Sequence, residues 1–232
     1  MKNNYSDSLI YIKNEIVKYL SDIFKVYGNE LLLKLEDYNL LKAENNCIES
    51  STATGFIMEE FITSKLETFT QNHSKKGEIK IHKIKGSTAT SSYDCYAEYD
   101  NIFIMINIKV QKNTSSNDAV SAINILYNDY VEKNPNITKA YLILKTHYSF
   151  GKSAKTEDRK ILIHKVDGYF LEQIDFSKGH KQDHRNWSSN FNSNSGRLQI
   201  TKKILENNQL PKEDISYDKT REFIKDIYTN NA

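Results

Sequence analysis

The chain reads as an α/β fold: a mixed central β-sheet flanked by helices. Three observations point there. Residues 93–111 (YDCYAEYDNIFIMINIKVQ) alternate on either side of Asp100-Asn101, the pattern of a β-hairpin closed by a two-residue turn. A helical stripe comes next, and then the apolar run Ala140–Leu144 (AYLIL), as expected of a crossover into a strand buried on both faces. Upstream, residues 8–26 and 55–69 place apolar side chains at helical spacing and so supply helices to cover the sheet.

Taken in order, Leu9, Ile12, Ile16, Tyr19, Leu20, Ile23 and Phe24 define a first helix, with Ser6 or Ser8 as its cap. Gly28-Asn29 interrupts it. A second helix over Leu31–Lys42 would complete an N-terminal helical hairpin within residues 1–45, serving either the core or a dimer contact. Residues 45–54 (NNCIESSTAT) read as a loop. Gly55 then opens a helix with Phe56, Phe61, Ile62, Leu66 and Phe69 on a stripe and Glu59 and Glu60 one turn in. By themselves those two are most simply solvated helix carboxylates. Residues 78–84 (EIKIHKI) are a first strand, and GSTATSS leads into the hairpin.

After the hairpin, Ser116 or Asn117 caps an expected helix with Val120, Ile123, Tyr127, Tyr130 and Val131 on one side, stopped by Asn134-Pro135-Asn136. This crossover makes the following strand parallel to its predecessor. Residues 161–174 hold a strand pair, or a strand and a turn, around Asp167-Gly168. The segment 175–197 is rich in Asn, Ser, His and basic residues, with Trp187 and Phe191 embedded, and suits a loop that orders against a partner. From Ile200 the tail reads as two short amphipathic helices split by Pro211. The chain thus divides into residues 1–45, a core at 46–150, and a C-terminal part at 151–232.

Composition narrows the classes. The 232 residues contain two cysteines, too few for a disulfide framework or a zinc site, and Cys95 falls on the apolar side of the hairpin as a small buried hydrophobe. No apolar run is long enough to span a membrane, and the N-terminus lacks a signal-peptide core, so a cytoplasmic protein is expected. The net charge of +2 hides an asymmetry. Residues 139–203 hold 13 Lys and Arg against 6 Asp and Glu, which suggests a face that meets a polyanion as readily as an ordinary solvated surface.

The hairpin carries the chemistry. With Asp100 and Asn101 as turn residues, Asp94 falls opposite Asn107, with Cβ atoms roughly 5 Å apart. Lys109 lies on the same face one step along. A carboxylate, an amide oxygen and an ammonium then converge at the end of an apolar hairpin. Phosphodiester hydrolysis asks for such a set. Carboxylate, amide and carbonyl oxygens hold Mg²⁺, the metal acidifies water, and a lysine orients that water or neutralises the transition state. The carbonyl of Ile108 is a further candidate ligand.

Asp94, twelve intervening residues, then Asn107-Ile108-Lys109, preceded by a helix with Gly55 and Glu59, resembles the PD-(D/E)xK nuclease motif. The likeness covers about residues 55–145. It implies a restriction-endonuclease-like core with a C-terminal DNA-recognition extension. It also implies catalytic roles for Asp94, Asn107, Lys109 and Glu59, with metal held by Asp94, Asn107, Ile108 and Glu59. Ser92-Tyr93 stands where that family often has proline. Asn107 replaces the second acid, and its amide oxygen brings no negative charge.

The expected function is therefore a type II restriction enzyme: a homodimer that cuts double-stranded DNA with Mg²⁺ at a palindromic and A·T-rich site. Gln111 and Lys112 follow the motif directly. Lys181, Gln182, Arg185, Asn186, Trp187, Asn190, Asn192, Asn194 and Arg197 are the candidate DNA contacts, because amides pair with adenine and Arg or Lys with guanine. Two alternatives stand beside it. One is a DNA-binding module on a catalytically degenerate nuclease fold; the other is a junction or repair nuclease.

Overall fold

A computed structural model describes residues 4–28, 30–32, 51–73, 78–84, 90–112, 117–152, 159–183 and 196–230. The main sheet is mixed and has six strands in the order β1-β7-β6-β4-β3-β2. These are β1 (Glu30–Leu32), β2 (Lys80–Lys83), β3 (Cys95–Tyr99), β4 (Ile102–Lys112), β6 (Thr138–Lys152) and β7 (Arg159–Phe170). The three-residue β1 is an edge on a five-stranded body. A small antiparallel sheet is formed by β5 (Asn117–Ala122), β9 (Arg197–Thr201) and β8 (Lys181–Asp183), in that order.

The hairpin forms as its turn chemistry dictates. Asp100 and Asn101 have φ of 52° and 64°, the doubly left-handed pair that a two-residue turn matching strand twist requires. Asp and Asn tolerate that region better than other non-glycine residues. The register runs from Tyr99↔Ile102 to Cys95↔Ile106, as expected. β4 then pairs with β6 in parallel, Ile102↔Thr138 to Lys112↔Tyr148, so the crossover stands.

Alternation along β4 divides the core. Ile102, Ile104, Ile106 and Ile108 face the helices α1 (Tyr5–Tyr27) and α2 (Ser51–His73) through Leu9, Ile12, Ile16, Met58, Ile62 and Leu66. Met105 faces the opposite side with Tyr141, Ile143 and Tyr169. There it packs on Val120 and Leu198 of the small sheet and on Ile224 and Ile227 of α5 (Tyr217–Thr229). Each such aliphatic side chain contributes about 1.5–3 kcal/mol by leaving water. Ala140–Leu144 is buried throughout, the signature of a strand covered on both faces.

Several expectations are corrected. The first helix starts at Tyr5 with Asn4 at its cap position and no side-chain cap; Ser6 and Ser8 are buried inside its first turn. Leu31 and Leu32 are not helical but pair with Ile161 and Lys160 of β7, and the rest of the expected second helix lies outside the described residues. The helix over Glu59 begins at Ser51, within the stretch expected to be loop. The expected helix from Asn117 is instead strand β5 followed by α3 (Ile123–Tyr127) and a π-helical turn, Asn128–Glu132. Val120, Ile123 and Tyr127 suit a helix by spacing, yet β9, some eighty residues on, offers β5 a hydrogen-bonding partner. Asp167-Gly168 is no turn: β7 runs straight through it. Gly168 is needed for close approach, because a Cβ there would meet the Ile143 carbonyl oxygen at 2.9 Å. The tail forms α4 (Lys202–Asn207) and α5 on either side of Pro211, as expected. Among the described residues no helix is long and apolar enough to cross a membrane.

Candidate functional site

The site forms where the hairpin register breaks. The Asp94 N–H donates to the Ile106 carbonyl at 2.9 Å, although Ile106 is already the partner of Cys95. Two residues thus face one, the signature of a β-bulge, which re-aims the side chain beside it. Asp94 consequently leaves the expected face-to-face pairing with Asn107. Its Oδ2 accepts the Ile108 N–H at 2.6 Å. The group of Ile108 that touches Asp94 is therefore its amide, whereas the expectation was for its carbonyl to serve as a ligand.

Glu59 comes from α2, on the other side of β4. Its half-buried carboxyl lies within hydrogen-bonding reach of the Asp94 carboxyl. Burial, then the charge of Asp94, lifts Glu59 to about 7. Burial also raises Asp94, against the Ile108 amide and Lys109, which pull it down. Two carboxyls placed this way titrate as a pair. Lys109 completes the group. Desolvation among packed strands keeps its ammonium below the usual lysine value, opposed by Asp94 and Glu59. Glu60, one residue along, is exposed and paired with Lys83, so Glu59 is the helix carboxylate of the site.

Asn107 is also held by the fold. It is 4% exposed, and its Nδ2 lies 2.8 Å from the Ser92 carbonyl, the Val120 carbonyl and the Tyr141 hydroxyl. The amide therefore ties the connection before β3, strand β5 and strand β6 to β4. The hydroxyl of Tyr141 closes the network on the Ser92 carbonyl. The Oδ1 of Asn107 is buried and, among the described residues, without a partner.

Among the described residues, no three His, Cys, Asp or Glu side chains gather to hold a metal. The oxygens at hand are the two carboxylates, Glu59 and Asp94. This donor set suits a hard divalent cation, not a zinc ion, which takes nitrogen and sulfur.

The expected DNA contacts separate into three groups. Gln111 donates to the Asn117 carbonyl at 3.2 Å and to Asp118, so its amide is engaged inside the protein. The Lys112 ammonium sits 5.0 Å from the Phe150 ring centre. Lys181 and Gln182 fall in a short strand paired with β9, where a loop was expected; Lys181 is exposed, and Gln182 contacts His180 at 3.0 Å. Arg197 is exposed at the start of β9, and its charge bears on Lys109. Arg185, Asn186, Trp187, Asn190, Asn192 and Asn194 lie outside the described residues.

Sequence reasoning missed Asp118, Lys145 and Tyr169. Asp118 is 2% exposed and ion-paired to Lys145 at 2.8 Å, with the Tyr169 hydroxyl at 2.9 Å. Lys145, which follows the apolar run directly, offered a signal; reading 117–131 as a helix hid Asp118. No known family model matches the chain, and no curated protein matches its sequence.

Proposed function

We propose that the protein is a Mg²⁺-dependent endonuclease of double-stranded DNA, a type II restriction enzyme acting as a homodimer. One observation carries this reading: the carboxyls of Glu59 and Asp94 are placed against each other beside Lys109, at a break in an otherwise apolar hairpin. Folding does not require two carboxyls in contact, because each raises the cost of ionising the other. A cation bound between them removes that cost.

Glu59 and Asp94 would hold the cation, with the Oδ1 of Asn107 as an uncharged third donor. When bound, Mg²⁺ polarises the scissile phosphate and acidifies water. The Ile108 N–H fixes the rotamer of Asp94, so its free oxygen is held ready. Lys109 orients the attacking water and offsets charge on the phosphoryl oxygens. Arg197, exposed at the rim, meets the DNA backbone.

The test is incubation of purified protein with Mg²⁺ and a plasmid of known sequence. Discrete fragments are expected, and their ends read out the site. A smear points to the junction or repair reading; intact DNA that is nonetheless bound points to the degenerate module, for which the structural use of Asn107 speaks.

A further inference from the structure

Beside this site the sheet carries a second charged group for which the nuclease reading has no role. Asp118 on β5 accepts from three strands of the main sheet: Lys145 Nζ of β6 at 2.8 Å, the Tyr169 hydroxyl of β7 at 2.9 Å, and the side-chain amide of Gln111 of β4. Its carboxylate is 2% exposed in the side chain, and Lys145 is 12% exposed. Lys145 is also the register partner of Lys109 across the parallel β4–β6 pair, so the two lysines leave the sheet side by side on one face.

A buried ion pair rarely outdoes well-packed apolar residues in stability, so its presence between Tyr, Ile and Val side chains needs another cause. The geometry supplies one. The small sheet meets the main sheet through Val120, Leu198 and Ile200, and apolar contact is non-directional and specifies no offset. A charge-assisted bond with two further donors does specify one. β9, paired along β5, carries Arg197 toward Lys109.

Resting on the nuclease reading above, we infer that Asp118 is a positioning residue. By locking onto Lys145 it fixes the small sheet in one placement beside Lys109. It thereby holds Arg197 at the DNA backbone and keeps the Lys145 ammonium engaged, leaving Lys109 to face Glu59 and Asp94.

The experiment compares wild type, Asp118→Asn, Lys145→Met and Lys145→Arg in Mg²⁺-dependent plasmid cleavage, with amide hydrogen exchange measured in parallel. Asp118→Asn and Lys145→Met should lower kcat on the order of a hundredfold, the scale of an ångström-level misplacement, with little change in KM. Lys145→Arg should restore most of the rate. Amides of 197–201 should exchange faster in Asp118→Asn while those of 102–108 hold. The double variant Asp118→Asn/Lys145→Met leaves no unpaired buried charge and keeps the test open if a single variant fails to fold. Wild-type kcat in Asp118→Asn and Lys145→Met overturns the positioning role and leaves the nuclease reading standing. A wild type that does not cut removes both, and unchanged exchange at 197–201 overturns the latch whatever the activity.

Discussion

Two glutamates of this protein are held at about 7 by burial, and they mean different things. Glu172 is fully buried and surrounded by neutral donors: the Tyr130 hydroxyl at 2.5 Å and the Tyr141 N–H at 3.0 Å. Its contacts close on themselves and tie the π-helical turn and β6 to the segment after β7. Glu59 instead faces a second carboxyl and a lysine. A shifted pKa therefore does not identify a site. What marks the Glu59 cluster is a second carboxyl and a lysine set against it, where Glu172 meets neutral donors.

The comparison breaks hardest at Lys109. Replacing it with Met should cost cleavage on the order of 10²–10⁴-fold while circular dichroism stays native, because the side chain acts on the reaction and not on the fold. Glu172→Gln should leave cleavage at the wild-type rate. Equal losses in the two variants would erase the distinction between the clusters.

Asn107→Asp comes next. The resemblance suggests that restoring the acid improves metal binding. The structure predicts the reverse, since a carboxylate would face the Ser92 and Val120 carbonyls that now accept from the amide. A loss of about 3–5 kcal/mol in chemical denaturation is expected, with no gain in rate. A variant of wild-type stability that cuts faster would show that the amide clamp is dispensable.

Stability should also depend on pH through Glu172. Its folded value, about 7, lies above the ordinary 4.5, so the native state holds a proton that the unfolded chain releases. Its contribution is whole below about 4.5 and declines as pH rises through 7, by up to about 3 kcal/mol. Urea titrations at pH 5 and 8 should show this decline in wild type and a smaller one in Glu172→Gln, with the remainder owed to the Glu59–Asp94 pair. The smallest effect is reserved for Glu60→Gln. That surface pair with Lys83 should contribute under about 1 kcal/mol and leave cleavage alone, one residue from a position where the same change is expected to matter.

Much of this was legible in the chain. Asp100-Asn101 announces the turn, the turn sets the register to Cys95↔Ile106, and the isoleucines of β4 follow by alternation. These are local rules of period and backbone conformation, carried by neighbours in sequence. Asp94 and Lys109 were legible because such rules place them near one end of the hairpin, and Glu59 through the likeness of its helix to the nuclease motif. Three things escaped: the clamp made by Asn107, the strand at 117–122, and Asp118 with Lys145. Each depends on a partner distant in sequence, namely β9 for β5, the Val120 and Ser92 carbonyls for Asn107, and Tyr169 for Asp118.

Side-chain order alone determined which residues reach the end of the hairpin, because alternation and turn geometry are properties of a few adjacent peptides. The tertiary structure alone decided what each does there. A carboxylate becomes half of a pair with a raised pKa, and an amide becomes a clamp, through burial and through the groups that other elements bring. Those terms depend on distance in space, and no spacing along the chain encodes it.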